Sequence, residues 1–135
     1  MSLLGIDVGT TGCKAAVFSR EGQQLASAYE EYDNLRPKPG WAELDAAEVW
    51  GKVKATVSNV ASDAASDPIE ALAVSSLGEA MVPVTADRQV LGPSILNFDA
   101  RGEEYLGSLG SVLADDRLYR INGNTLGNHY GLTKL

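Results

Sequence analysis

Alternating apolar and polar residues predict that the chain begins with a small sheet. The alternation predicts one strand over residues 3–8, and similar patterns predict further strands over 13–19 and 24–32. Arg20-Glu21-Gly22 supplies a turn between the second and third strands. Because both connections are only a few residues long, we expect neighbouring strands to be antiparallel.

A helix is predicted in the middle of the chain, after a loop. Pro37 and Pro39 exclude regular structure from that loop. Asp45 followed by Glu48 resembles a capping box, which places the helix at about residues 46–65. The face that we expect to point into the core carries apolar residues at helical spacing: Val49, Trp50, Val53, Val57, Val60, Ala61 and Ala64.

In the second half of the chain, the sequence pattern predicts one clear strand, followed by elements with weaker sequence signals. The sequence EALAVSS, residues 70–76, is short and apolar, and a strand reached through a helix is usually parallel to its neighbour. The weaker predicted elements are strands over 80–85 and 94–98, a turn at Asp87-Arg88, helices near 103–113 and 116–121, and a final loop rich in glycine and asparagine.

Three antiparallel strands, a crossover helix and a parallel strand describe one known core. This is the α/β ribonuclease-H-like core of the class that contains actin, hexokinase and Hsp70. We therefore predict a domain of this fold.

Composition narrows the classes of function. A length of 135 residues is typical of one domain. The net charge of −7 argues against a nucleic-acid partner, because nucleic-acid phosphates need a basic protein surface. No apolar run is long enough for a membrane span, and Asp7 interrupts the first apolar stretch, so we expect neither a membrane partner nor a signal peptide. The single cysteine, Cys13, fits a reducing compartment and is expected to be a small buried residue. A cytoplasmic location is the resulting expectation.

The connection between the first two predicted strands carries candidate chemistry. Backbone N–H groups around Gly9 and the hydroxyls of Thr10 and Thr11 can all point at one anion. Asp7, at the end of its strand, is placed to orient Mg²⁺ through water, and Lys14 can balance phosphate charge. A GxxxxGK[ST] loop is absent, so this is not a P-loop. The alternative interpretation is a tight hairpin with an exposed aspartate.

Five segments, in order along essentially the whole chain, carry a resemblance to a known family. They are GIDVGTTGCKAAVF, PGWAELDAAEVW, ALAVSSLGEAMVPVT, ILNFDAR and NGNTLGNHYGLTKL. Together they resemble the start of the FGGY carbohydrate kinases, especially xylulokinase-like and glycerol-kinase-like members. The resemblance implies ATP-dependent, Mg²⁺-assisted phosphoryl transfer to a hydroxyl of a ketose or polyol, in a cleft between two ribonuclease-H-like domains.

The resemblance also implies roles for individual residues. It makes Asp7, Gly9, Thr10, Thr11 and Lys14 the loop that binds the ATP phosphates. The positions that it assigns to the substrate site are Glu79, Asn97, Asp99, Arg101 and His129.

Two of these positions differ from relatives, and several have simpler interpretations. Asn97 stands where many relatives have a tryptophan, and Gly78 stands where glycerol kinases have an arginine, which argues against glycerol as the substrate. Glu79 could be a solvated loop charge, and Asp99 and Arg101 could form a surface ion pair. His129 could be structural. Trp41 and Trp50 are expected to be packing residues.

The resemblance implies a protein several times longer, so residues 1–135 are expected to form the N-terminal part of the first kinase domain, incomplete at its C-terminal end and without the second domain. The general-base aspartate, a second phosphate motif and the adenosine pocket are expected downstream, so we expect this chain alone to be inactive. An open sheet edge would favour a homodimer. The first alternative function is a non-catalytic phosphate- or sugar-binding module. A further alternative is an ATPase of the actin or Hsp70 type, which the segments GWAELD and NFDAR disfavour.

Overall fold

A computed structural model describes residues 1–113 and 115–134 of the chain. The chain divides into two compact units. The first contains Met1–Asn34 and Asp45–Leu77, and the second contains Leu35–Leu44 and Gly78–Leu135. The strands are β1 (Ser2–Val8), β2 (Gly12–Ser19), β3 (Gln24–Glu31), β4 (Glu43–Leu44), β5 (Ile69–Ser76) and β6 (Ser94–Ile95), and the α-helices are α1 (Ala46–Asp63), α2 (Leu106–Val112) and α3 (Asp115–Asn122).

The first unit contains a four-stranded sheet of order β3-β2-β1-β5. β1 and β3 both run antiparallel to β2, and β5 runs parallel to β1 after the crossover through α1. The predicted arrangement of three antiparallel strands, a helix and a parallel strand is therefore confirmed. Apolar side chains from β1, β2 and α1 form the core beneath one face of the sheet: Leu4, Ala15, Val17, Val60 and Ala64.

Helix α1 begins where the sequence predicts, but its buried face is narrower. Asp45 caps the helix, because its carboxylate accepts hydrogen bonds from the backbone N–H groups of Ala47 (2.8 Å) and Glu48 (3.1 Å). The prediction that Trp50 and Ala61 face the core is wrong, since Trp50 is 60% exposed and Ala61 is also exposed. At about 100° per residue both lie at the edge of the apolar stripe. Thr56 occupies the buried stripe instead.

The second unit has less regular structure than the sequence predicts. Residues 80–85 form only isolated bridges, and the strand predicted over 94–98 is reduced to β6, which pairs with β4. Pro83 explains part of the difference over residues 80–85, because proline cannot donate to a ladder. β4 lies in the segment predicted to be a loop.

The helices predicted near 103–113 and 116–121 are confirmed as a 3₁₀ turn followed by α2, and as α3. A further 3₁₀ turn at Gly131–Thr133 was not predicted. Among the described residues, no helix combines the length and apolar character that crossing a membrane requires.

Self-association is the expected behaviour of the 135-residue chain when it is expressed by itself. β5 lies at one edge of the sheet and exposes Leu72 (63%) and Val74 (59%), and such an edge can pair with another chain. We expect light scattering after size exclusion to show mass that rises with concentration. Leu72→Lys should reduce this rise, whereas Val112→Lys, at an equally exposed helix position, should not. A monomer at all concentrations would contradict the prediction.

Candidate functional site

The connection between β1 and β2 is a tight tip built around two glycines. Gly9 N–H donates to the carbonyl of Gly12 (2.9 Å), which closes the turn. A Cβ at Gly12 would lie 2.8 Å from the carbonyl oxygen of Glu30 and would also meet the hydroxyl of Tyr29, so only glycine fits there. Thr10 and Thr11 therefore lie in a connection whose backbone path is fixed from both sides.

Two opposite charges stand side by side below this tip. Asp7 of β1 is the direct cross-strand partner of Lys14 of β2, and both side chains are exposed. Both line an open groove of about 450 Å³, whose other walls are mainly apolar or small side chains of β1, β2 and β5. Ser75 of β5 also reaches this groove. The sheet thus presents a carboxylate and an ammonium next to a glycine-rich turn.

The tip is anchored by Tyr32, a residue that was not singled out from the sequence. The Tyr32 side chain is buried, and its hydroxyl lies 2.6 Å from the carbonyl oxygen of Gly9 and 3.0 Å from that of Gly12. Burial, with smaller contributions from Cys13, Tyr29 and Asp7, raises the pKa of Tyr32 to about 12. The phenol is therefore a neutral hydrogen-bond donor at physiological pH.

The donor set near the tip fits a magnesium ion shared with a phosphate. Among the described residues, no cluster of three or more histidine, cysteine or carboxylate side chains is placed to hold a metal ion by itself. Mg²⁺ usually retains several waters and is bound by one or two carboxylates together with substrate phosphates. The single exposed carboxylate of Asp7 suits that arrangement better than a site built from protein ligands alone.

In the second unit, Asp99 is the centre of a buried polar cluster. Its side chain is 0% exposed. One carboxylate oxygen accepts from Arg101 N and Nε, and the other accepts from Arg101 Nη2 and the backbone N–H of Ala42 (2.6 Å). Burial alone would raise the pKa of Asp99, but the hydrogen bonds from Arg101 and Ala42 outweigh it and lower the pKa to about 2. Asp99 is therefore an ionised internal anchor.

Arg101 connects this anchor to the segment between Leu35 and Leu44. Its Nη1 lies 2.7 Å from a carboxylate oxygen of Glu43, and its guanidinium carbon lies 3.9 Å from the centre of the Trp41 ring. Lys38 Nζ lies 4.5 Å from the same ring centre. The interpretation of Asp99 and Arg101 as a surface ion pair is thus incorrect, because the pair belongs to a buried network.

Lys134 holds the segment that carries Asn97. Its Nζ donates to the carbonyl oxygens of Leu96 and Asn97, both at 2.8 Å, and burial lowers the pKa of Lys134. The Oδ1 atom of Asn97 is buried and has no hydrogen-bond partner among the described residues. An unpaired buried acceptor is unusual and costly in a folded protein.

Glu79 and the segment before Lys134 complete the group. Glu79 adopts a left-handed conformation (φ 60°), which is uncommon for a residue other than glycine, and its Oε2 accepts from Gly131 N–H at 2.8 Å. His129 is exposed, and its ring centre lies 3.8 Å from that of Tyr130. Glu79 is therefore held in place rather than being freely solvated.

The structure thus brings the predicted residues together as two groups. Asp7, Gly9, Thr10, Thr11 and Lys14 lie in and below one hairpin tip of the first unit. In the second unit, the Glu79 carboxylate accepts a hydrogen bond from Gly131 N–H, in the segment before Lys134. The Lys134 ammonium donates to the Asn97 carbonyl oxygen, and the Asn128 side chain donates to that of Asp99. Sequence reasoning missed Tyr32, Glu43 and Lys134, whose roles depend on contacts between residues far apart in the chain.

This fold is that of an α/β protein of the ribonuclease-H-like class, and comparisons identify the family. The sequence model of one protein family, the N-terminal domain of the FGGY family of carbohydrate kinases, matches residues 2–135. The chain therefore belongs to the FGGY family of carbohydrate kinases, as the sequence predicts.

Individual relatives agree with this assignment. The chain is 31% identical over 136 residues to a glycerol kinase from Synechocystis sp., with 98% of this chain and 28% of that relative covered. The structure matches xylulose kinase from Rhodospirillum rubrum with a TM-score of 0.94 and 24% identity, covering 99% of this chain and 28% of that one. The chain thus spans about 28% of the length of these relatives, and its predicted ribonuclease-H-like fold is confirmed.

Proposed function

We propose that the chain is the N-terminal part of an ATP-dependent kinase that phosphorylates a hydroxyl of a ketose or polyol. One observation carries the proposal: Asp7 and Lys14 lie side by side next to a glycine-rich tip whose Gly9 and Gly12 carbonyl oxygens lie within hydrogen-bond distance of the Tyr32 hydroxyl. Family membership supports it independently. On this proposal residues 1–135 belong to the first kinase domain, and the remainder of the enzyme is supplied by further chain.

At the first group, each residue has a separate task. The backbone N–H groups at Thr10 and Thr11 and the two threonine hydroxyls orient the ATP phosphates, while Gly9, whose N–H donates to the Gly12 carbonyl, closes the turn. Lys14 offsets phosphate charge, and Asp7 holds the water shell of Mg²⁺, which when bound neutralises charge on the transferred phosphoryl group. Positioning and charge stabilisation account for most of the acceleration in phosphoryl transfer. The general base is expected outside these residues.

At the second group, we propose that Glu79, Asn97 and His129 contact the sugar. The Asn97 amide carries a donor and an acceptor where a tryptophan would present mainly an apolar surface, and Gly78 offers no charged group. Asp99 acts indirectly on this proposal, because its carboxylate is fully buried and holds Arg101. A site built from hydrogen-bonding groups favours a substrate with several hydroxyls and rejects shorter analogues.

We therefore expect the full-length protein to prefer five- or six-carbon ketoses or polyols over glycerol. The test is a coupled ADP-release assay over a panel of these compounds with MgATP. Asn97→Ala should raise KM for the preferred substrate by about 10-fold, the cost of about one hydrogen bond, and leave KM for ATP unchanged. Asn59→Ala, at an exposed position of α1, is the matched control.

Two results would argue against this proposal. Glycerol as the best substrate would contradict the assigned substrate class. Binding of nucleotide and sugar without turnover by the full-length protein would favour the alternative, a non-catalytic phosphate- or sugar-binding module.

A further inference from the structure

Tyr32 contacts the hairpin tip through both its side chain and its backbone. The hydroxyl approaches the carbonyl oxygens of Gly9 (2.6 Å) and Gly12 (3.0 Å), and the backbone N–H donates to the carbonyl of Thr11 (3.2 Å). The side chain is only 5% exposed, so these contacts are shielded from competing water. One residue just beyond β3 therefore engages three of the four carbonyl groups between positions 9 and 12.

Engaging these carbonyls matters because of their charge. A carbonyl oxygen carries partial negative charge and would repel a phosphate, whereas the N–H groups of the same peptide units attract one. A glycine-rich turn has many accessible backbone conformations, and several of them would present carbonyl oxygens to the ligand. The single proton of the Tyr32 hydroxyl is shared between the Gly9 and Gly12 carbonyls, and together with the backbone bond to Thr11 it favours the conformations that leave N–H groups and threonine hydroxyls available to an anion.

We propose that Tyr32 is a positioning residue that holds the tip between β1 and β2 in its anion-binding conformation. Tyr32 does not touch the ligand, and its effect is transmitted through Gly9, Thr11 and Gly12. The part of the inference that concerns ATP rests on the proposed kinase function. The part that concerns the conformation of the tip does not, and it can be measured without any ligand.

The first test compares Tyr32→Phe with Tyr29→Phe in the full-length protein without ligand. Both changes remove one hydroxyl near Gly12, but Tyr29 is 53% exposed and makes none of the carbonyl contacts of Tyr32. Hydrogen exchange measured by mass spectrometry should accelerate several-fold in peptides that cover residues 9–12 of Tyr32→Phe. Peptides from α1 should exchange as in the unchanged protein, and so should the tip of Tyr29→Phe.

The second test separates positioning from general destabilisation. Tyr32→Phe should raise KM for ATP by about 3- to 10-fold, which corresponds to one hydrogen bond, and should leave KM for the sugar unchanged. Equal increases in both KM values, or the same tip exchange in the two variants, would overturn the inference. If the unchanged protein shows no kinase activity but the tip still exchanges faster in Tyr32→Phe, the proposed function fails and the positioning role is supported.

Discussion

Replacing Asp7 by asparagine in the full-length protein should lower kcat by about 10²- to 10³-fold, the loss expected when one group that stabilises transition-state charge is removed. Asparagine keeps the size of the side chain but removes the charge that orients hydrated Mg²⁺. Because metal positioning contributes most in the transition state, KM for the sugar should change little. Asp7 is exposed, so the substitution should not destabilise the fold.

Steady-state kinetics at several Mg²⁺ concentrations provide the measurement. The variant should need more Mg²⁺ for half-maximal activity, a response that loss of folded protein would not produce. Asp63→Asn removes an exposed carboxylate at the end of α1 and is the matched control, with unchanged kcat expected. An unchanged kcat in Asp7→Asn would remove Asp7 from the proposed mechanism.

The first unit could be predicted largely from its sequence. Period-two apolar patterns and short connections determine β1, β2 and β3, and Asp45 marks the start of α1 through local hydrogen bonds. These signals depend only on neighbours in the chain. The second unit was predicted less well, because β4 and β6 contain only two residues each and exist through their pairing with one another.

The candidate site shows the same division between local and distant contacts. The tip around Gly9 was visible as a motif, but the hydroxyl that anchors it comes from Tyr32, over twenty positions away. Asp99 and Arg101, two positions apart, could equally have formed an exposed pair. Their burial depends on Glu43 and Ala42, which no local pattern connects to them.

Asp99→Ala should produce the largest loss of stability among the changes considered. Among the residues that the structure describes, removal of the carboxylate leaves the Ala42 N–H without its acceptor and Arg101 with Glu43 as its one remaining ionic partner. Breaking a buried ion pair on one side typically costs 3–5 kcal/mol, and we expect about 3 kcal/mol because Glu43 still offsets part of the charge. Urea denaturation of the full-length protein at matched concentrations gives the free-energy difference.

An exposed ion pair in the same unit supplies the control for Asp99. Asp116 and Arg120 lie 2.7 Å apart on α3, with the Asp116 side chain 63% exposed. Exposed pairs four residues apart on a helix contribute about 0.3–0.5 kcal/mol, so Asp116→Ala should have little effect. Equal losses of stability in the two variants would show that the Asp99 network contributes no more than a surface pair.

The pH dependence of this stability follows from the lowered pKa of Asp99. The folded-state pKa of about 2 lies below the ordinary aspartate value of about 3.9, a difference equivalent to about 2–3 kcal/mol favouring the folded state when the group is ionised. That contribution is complete above about pH 4 and is lost as the pH falls through 2. The stability difference between the unchanged protein and Asp99→Asn should therefore be constant from pH 5 to 7 and shrink below about pH 4. A constant difference down to pH 2 would show that the carboxylate charge is not what stabilises the network.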